Sequence, residues 1–160
     1  LGKVEDKWGE PVDPQKLEDA LKKNRDARVV AFVHAETSTG VQSDAKSLVE
    51  IAHRHDALTI VDAVTSLGGS PVLVDEWDID AIYSASQKCL SCTPGLSPIS
   101  FSQRVVDRVK KRSDKVKSWF MDLNLLLFRT LLSLPRTMSS RYRETPLAIP
   151  SLRTNVLFPR

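Results

Sequence analysis

The chain has 160 residues, 41% of them hydrophobic and 27% charged, with a formal net charge of +3. That composition gives one domain enough apolar material for a core and excludes a chain disordered by charge. The longest apolar stretches, Leu123 to Phe128 and Ala57 to Val61, fall far short of the ~20 residues that cross a bilayer, so nothing marks a membrane protein.

Trp8-Gly-Glu-Pro-Val reads as a turn or a short strand. Asp13-Pro14 opens a helix with an N-cap and a proline in its first turn, and Leu17, Ala20 and Leu21 give it a buried face. Val29 to Val33 is a continuous apolar run of strand length, suited to the interior of a parallel sheet. The polar loop Glu36 to Gly40 follows. Ser43 or Asp44 caps a second helix with an apolar stripe of Leu48, Ile51 and Ala52, and its end at His53 to His55 puts basic charge where the helix dipole favours it. Leu58 to Val61 is the second buried strand, with Asp62 at its carboxyl end. After the Gly68-Gly69 turn, Pro71 to Val74 reads as a short extended segment. Ala81 to Ser84 begins a third core strand that runs into Lys88, Pro98 to Phe101 is a fourth, and Gln103 to Lys111 has helical spacing through Val105, Val106 and Val109.

Strands alternating with helices predict an α/β fold with a mostly parallel sheet. In such sheets ligands bind beyond the carboxyl ends of the strands, an edge that the loop after Val33, Asp62 and Lys88 would share. Cys89 and Cys92 form a lone C-x-x-C with no second pair and no neighbouring histidine, which is short of a structural zinc site. They read as two small residues packed in a reducing compartment, and no metal is expected. The expectation is a soluble intracellular protein, whether cytoplasmic, peroxisomal or mitochondrial.

Three residue types point to chemistry. Lys88 follows Ser84-Ala-Ser-Gln87, a small, neutral seat of the kind a reactive amine needs. Asp62 is either a cap for the next turn or a carboxylate awaiting a cation, because a half-buried acid is costly without a cation or several donors. A protonated ring nitrogen would serve as that cation. A lysine amine condenses with an aldehyde cofactor to a Schiff base, while a carboxylate keeps the pyridine nitrogen protonated. Gln87, Ser86 and Ser84 are placed to contribute neutral donors to a phosphate. No G-x-G-x-x-G follows a strand, and Gly68-Gly69 is only a turn signal, which disfavours a dinucleotide-binding domain.

Thr37-Ser-Thr-Gly40, Val61-Asp-Ala-Val-Thr-Ser-Leu-Gly-Gly69 and Ser84-Ala-Ser-Gln-Lys-Cys-Leu-Ser-Cys-Thr-Pro-Gly95 together resemble the class V aminotransferases. The likeness is to the alanine–glyoxylate and serine–pyruvate group, which includes the 3-hydroxykynurenine transaminases, and runs from about Val4 to Leu126. It implies a partial large domain, residues 1–123, of the type I aspartate aminotransferase-like fold, in a family that is normally homodimeric when full-length. It implies pyridoxal 5'-phosphate as cofactor, with Lys88 as the Schiff-base lysine and proton carrier and Asp62 as the partner of the pyridinium nitrogen. By the same resemblance Thr37 contacts cofactor or substrate, Gln87 lies near the phosphate, and Ser66 and Val64 line the cofactor pocket. His34 is expected to be a structural histidine.

The implied reaction is transamination between a small amino acid, alanine or serine, and a 2-oxo acid, glyoxylate or pyruvate. A related class V lyase or desulfurase is disfavoured because those relatives place a histidine immediately before the lysine, where this chain has Gln87. The remaining alternative is a non-catalytic fragment of the same fold. Family members are roughly twice as long or more, and they supply a Gly-rich phosphate loop, a ring-stacking aromatic and a carboxylate-clamping arginine that this sequence lacks. The chain also opens on Leu1 rather than Met, so a missing beginning is expected, and by itself the chain should be feeble or inactive.

From residue 124 the character changes. Residues 1–123 carry 17 Lys plus Arg against 19 Asp plus Glu, a net of −2, whereas 124–160 carry 6 Arg, no Lys and a single acid, a net of +5. Aromatic residues are not interleaved with those arginines, so neither nucleic acid nor a membrane is expected as a partner. None of Arg129, Arg136, Arg141, Arg143, Arg153 or Arg160 matches the family's clamp. The abrupt loss of lysine and of family pattern is that of a shifted reading frame or an alternative exon.

Overall fold

The computed structural model describes residues 2–114, 116–119 and 122–125 and the backbone of Phe158–Pro159. Helix α1 spans Pro14–Lys23, with Asp13 accepting from the Gln15 N–H at 2.8 Å and Pro14 sitting where no amide proton is required. Leu17 and Leu21 are buried. Strand β1, Val29–Val33, leads into α2, Ala45–Arg54, which Asp44 caps by accepting from the Ser47 N–H. The other expected cap, Ser43, is instead buried and accepts from the Val12 N–H at 3.1 Å, fastening the amino-terminal segment to the body.

Strand β2 is Leu58–Asp62, β3 is Ala81–Tyr83, β4 is Leu96–Ser97 and β5 is Ile99–Phe101. The main sheet has the order β1-β2-β3-β5, with the first two pairings parallel and the last antiparallel. This is the mostly parallel α/β sheet expected from the sequence. Helix α3, Gln103–Lys110, follows β5 and is capped by Ser102. Strand β6, Phe158–Pro159, pairs antiparallel with β4.

Pro71 to Val74 departs from the expected extended segment. It joins no strand ladder among the described residues: the Leu73 and Val74 carbonyls accept from the Trp77 and Ile79 N–H groups, which closes a turn. Val72 and Val74 still serve the core.

Two apolar clusters form that core. One joins Leu17, Leu21, Leu48 and Ile51 under Val30 and Phe32; the other joins Val49, Val61, Ala63, Ile79 and Ile82. Both lie on the sheet face bearing Val30, Phe32, Val61 and Ile82. On the opposite face Val29, Val33, Ile60 and Tyr83 are exposed. Apolar strands led us to expect cover on both faces, but no layer among the described residues covers the second.

The expected boundary after residue 123 and the Arg-rich tail lie, apart from Asn124, Leu125 and the Phe158–Pro159 backbone, outside the described residues. No helix among the described residues is long and apolar enough to cross a membrane. Nor does any group of three or more His, Cys, Asp or Glu among them form a metal cluster.

Candidate functional site

Parallel register places the carboxyl ends of β1, β2 and β3 along one edge, with Val33 opposite Asp62 and Asp62 opposite Tyr83. Backbone bonds carry the alignment beyond the strands. The His34 N–H donates to Asp62 O and the Ala63 N–H to Tyr83 O, both at 2.9 Å, and the Ser84 hydroxyl donates to Ala63 O at 3.1 Å. The three loops leaving this edge therefore begin side by side.

Asp62 is half-buried and holds two donors. Its Oδ1 accepts from the Val64 N–H at 2.9 Å, and its Oδ2 accepts from the Tyr83 hydroxyl at 2.6 Å. The capping role is thus present, together with a second, cross-strand bond. Tyr83 is pushed up to about 12, first because its proton is shared with Asp62, then by partial burial and by the carboxylate charge.

Lys88 is exposed within a turn, where the Ser91 N–H donates to its carbonyl at 2.9 Å. Its neighbour Cys89 makes the contact between loops: the thiol lies 2.8 Å from Thr65 O. A β-carbon added to Gly69 would come within 2.6 Å of Cys89 Sγ, so only glycine allows this approach. Thr65 in turn shares a 2.5 Å hydroxyl contact with Thr37 from the loop after β1. Thr37, Thr65 and Cys89 thereby connect the three loops that carry the expected site residues. Cys89 and Cys92 are free and exposed as residues, so the expected packing is seen only for the Cys89 thiol, against Gly69 and Thr65.

Gln87 has a buried Oε1 with no hydrogen-bond partner among the described residues. A buried acceptor without a partner is costly unless a ligand engages the position, and side-chain amides turn to present either end. Ser86 is occupied elsewhere, donating to Thr93 O at 2.6 Å. Ser66 is buried with its hydroxyl 2.9 Å from His34 Nδ1, and His34 meets Trp77 edge-on at 5.5 Å. Burial holds His34 below the usual histidine pKa. Val64 is half-buried in the turn that Asp62 caps.

Sequence reasoning missed Tyr83 and Thr65. For Tyr83 the signal was available in its place as the last residue of β3, since Asp62 is the last residue of a parallel neighbour.

The profile of the family described as Aminotransferase class-V matches residues 4–114. The chain belongs to the class V aminotransferases. Within this family it is 44% identical over 109 residues to the (S)-ureidoglycine–glyoxylate transaminase of Bacillus subtilis, covering 68% of this chain and 26% of the relative. It is 37% identical over 124 residues to the alanine–glyoxylate aminotransferase of Drosophila melanogaster, covering 77% and 31%. The crystal structure of an alanine–glyoxylate aminotransferase from Nostoc sp. superimposes with a TM-score of 0.73 at 41% identity, over 77% of this chain and 32% of that one. The chain thus spans about a quarter to a third of the length of these relatives. Class V membership implies pyridoxal phosphate as cofactor.

Proposed function

We propose that this chain is part of a pyridoxal-phosphate-dependent aminotransferase that moves an amino group between alanine or serine and glyoxylate or pyruvate. The carrying observation is the Asp62 carboxylate, held at a strand end by two donors with acceptor capacity to spare, beside the loop that bears Lys88. The names of the Bacillus and Drosophila relatives support glyoxylate as an acceptor.

The residues present fit the cofactor. The Gln87 side chain, whose Oε1 position is buried without a partner and would present the donor end of the amide when turned, is suited to its phosphate, the Thr37 hydroxyl to a contact with cofactor or substrate, and Asp62 to its ring nitrogen. Val64 and Ser66 belong to the turn beside that nitrogen partner and support the pocket's shape. When bound, pyridoxal phosphate supplies an electrophilic aldehyde and a ring that accepts electron density. Asp62 would hold a proton on the ring nitrogen. Lys88 would bind the aldehyde carbon through Nζ, and once freed by substrate its amine would take the proton leaving the substrate α-carbon.

The division into a partial large domain over 1–123 and a foreign Arg-rich segment over 124–160 belongs to the same reading, as does a homodimeric whole protein. Sequencing the gene around the codon for Asn124 tests the division: a family-like frame one nucleotide away supports it, and its absence removes it. Because the chain spans so little of its relatives, we expect it to hold cofactor better than it turns over substrate. The functional test is borohydride reduction of the cofactor-loaded chain followed by peptide mass analysis. Covalent label on Lys88, abolished in Lys88→Ala, is the expected result. Label spread over several lysines, and undiminished in that variant, would refute the assignment.

A further inference from the structure

The Asp62 carboxylate meets Tyr83 because their strands are parallel and in register, Asp62 opposite Tyr83. Residues paired in this way project from the same face of a sheet. An ionised carboxylate offers about four acceptor positions. Val64 and Tyr83 take one on each oxygen, which leaves one on each oxygen free. Rotation about the terminal bond of aspartate is otherwise soft, but a carboxylate clamped at both oxygens cannot turn without breaking a bond.

The chemistry of the second donor matters. An arginine or lysine here would cancel the negative charge that a ring cation needs, and a phenylalanine would leave Oδ2 without a partner. A phenol donates one proton and brings no charge. Its sharing with Asp62 holds the phenol far above neutrality, so it remains a donor throughout the physiological range.

We propose that Tyr83 is a positioning residue: its hydroxyl fixes the Asp62 carboxylate in one orientation, so that the remaining acceptor positions stay available to the protonated ring nitrogen of the cofactor. The proposal rests on the reading of Asp62 as the partner of that nitrogen. Tyr83 acts only through Asp62 and touches no reacting atom.

The test has two arms on the full chain. The sequence contains two tyrosines, Tyr83 and Tyr142, so in a Tyr142→Phe background the carbon-13 signal of ring-labelled tyrosine reports Tyr83 alone. That signal should titrate well above the ordinary value near 10, and Asp62→Asn should bring its titration down toward that value. An unchanged titration in Asp62→Asn overturns the pair and the proposal with it. The second arm measures pyridoxal phosphate uptake by equilibrium dialysis and ring absorbance. Tyr83→Phe should weaken uptake about 3- to 10-fold, the net worth of one such hydrogen bond. Asp62→Asn should weaken it more, and the double variant should be no worse than Asp62→Asn, the non-additivity expected of a residue acting through its neighbour.

A tyrosine that merely fastens β2 to β3 would lower the thermal midpoint in Tyr83→Phe without moving cofactor affinity, and that result overturns the proposal while leaving the Asp62 reading intact. A parent chain that takes up no cofactor, or an Asp62→Asn chain that takes up as much as the parent, overturns the Asp62 reading itself.

Discussion

Asp80 offers a sharp test of how this fold holds itself together. It is fully buried and lies just before β3, where its Oδ2 accepts from the Thr59 N–H at 2.9 Å, from His53 Nε2 at 2.8 Å and from Arg104 Nη1 at 3.2 Å. Its Oδ1 accepts from the Ser102 hydroxyl at 2.9 Å. One side chain therefore joins α2, β2 and the start of α3. In Asp80→Ala the Thr59 N–H is left buried without a partner, and the His53 and Arg104 donors lose their anion. Breaking a buried, hydrogen-bonded charge in this way costs about 3–5 kcal/mol. The control is Asp78→Ala, because Asp78 approaches the same histidine, Oδ2 lying 3.4 Å from His53 Nδ1, but its side chain is 73% exposed. An exposed pair is worth only about 0–1 kcal/mol. Urea unfolding followed by circular dichroism should place the Asp80→Ala midpoint lower by about 1–5 M, given slopes of roughly 1–3 kcal/mol per M, and leave Asp78→Ala close to the parent. Equal shifts for the two variants would refute the argument that burial, rather than charge pairing alone, makes Asp80 the joint.

Gly69→Ala should cost about 1–3 kcal/mol, since the new methyl would sit within 2.6 Å of Cys89 Sγ. Adding Cys89→Ala should recover part of that loss in thermal melts, and no recovery would mean that the strain lies elsewhere. Glu18 is held at about 2, first by Arg54, then by His55 and Lys22. Its folded pKa is thus below its ordinary 4.5, so its contribution to stability is present above about pH 4.5 and disappears as the pH falls toward 2. The gap in urea midpoint between the parent and Glu18→Gln should accordingly close between pH 6 and pH 2, and a constant gap would contradict the pairing.

Local signals made most of the fold legible. Asp13-Pro14 marked α1 because a cap and a proline act on their own first turn, and the apolar runs at Val29 and Leu58 marked strands because no polar residue interrupts them. Pro71 to Val74 misled for a related reason: its apolar residues are real core residues, but their carbonyls close a turn. The run Val29 to Val33 was correctly read as a strand with two apolar faces, yet composition cannot say which residues supply the cover. Here only the face of Val30 and Phe32 is covered by described residues, while Val29 is 50% exposed.

The proposed site residues could be named one by one from the sequence, but their arrangement could not. Asp62, Lys88 and Gln87 suggested themselves by the chemistry of a strand-end acid, an amine in a neutral run and a neutral donor, whereas Thr37 was named only by family resemblance. What joins them depends on register: Tyr83 reaches Asp62 only because β2 and β3 are parallel and in step, and a shift of one residue would turn the phenol to the other face. The glycine pair and the C-x-x-C were read separately, as a turn signal and as two small packed residues. In the structure they explain each other, since the absent side chain at Gly69 is what lets Cys89 close on Thr65. That contact ties the segment leaving Asp62 to the segment carrying Lys88. A mutation there would therefore act on the relation between the acid and the amine without touching either of them.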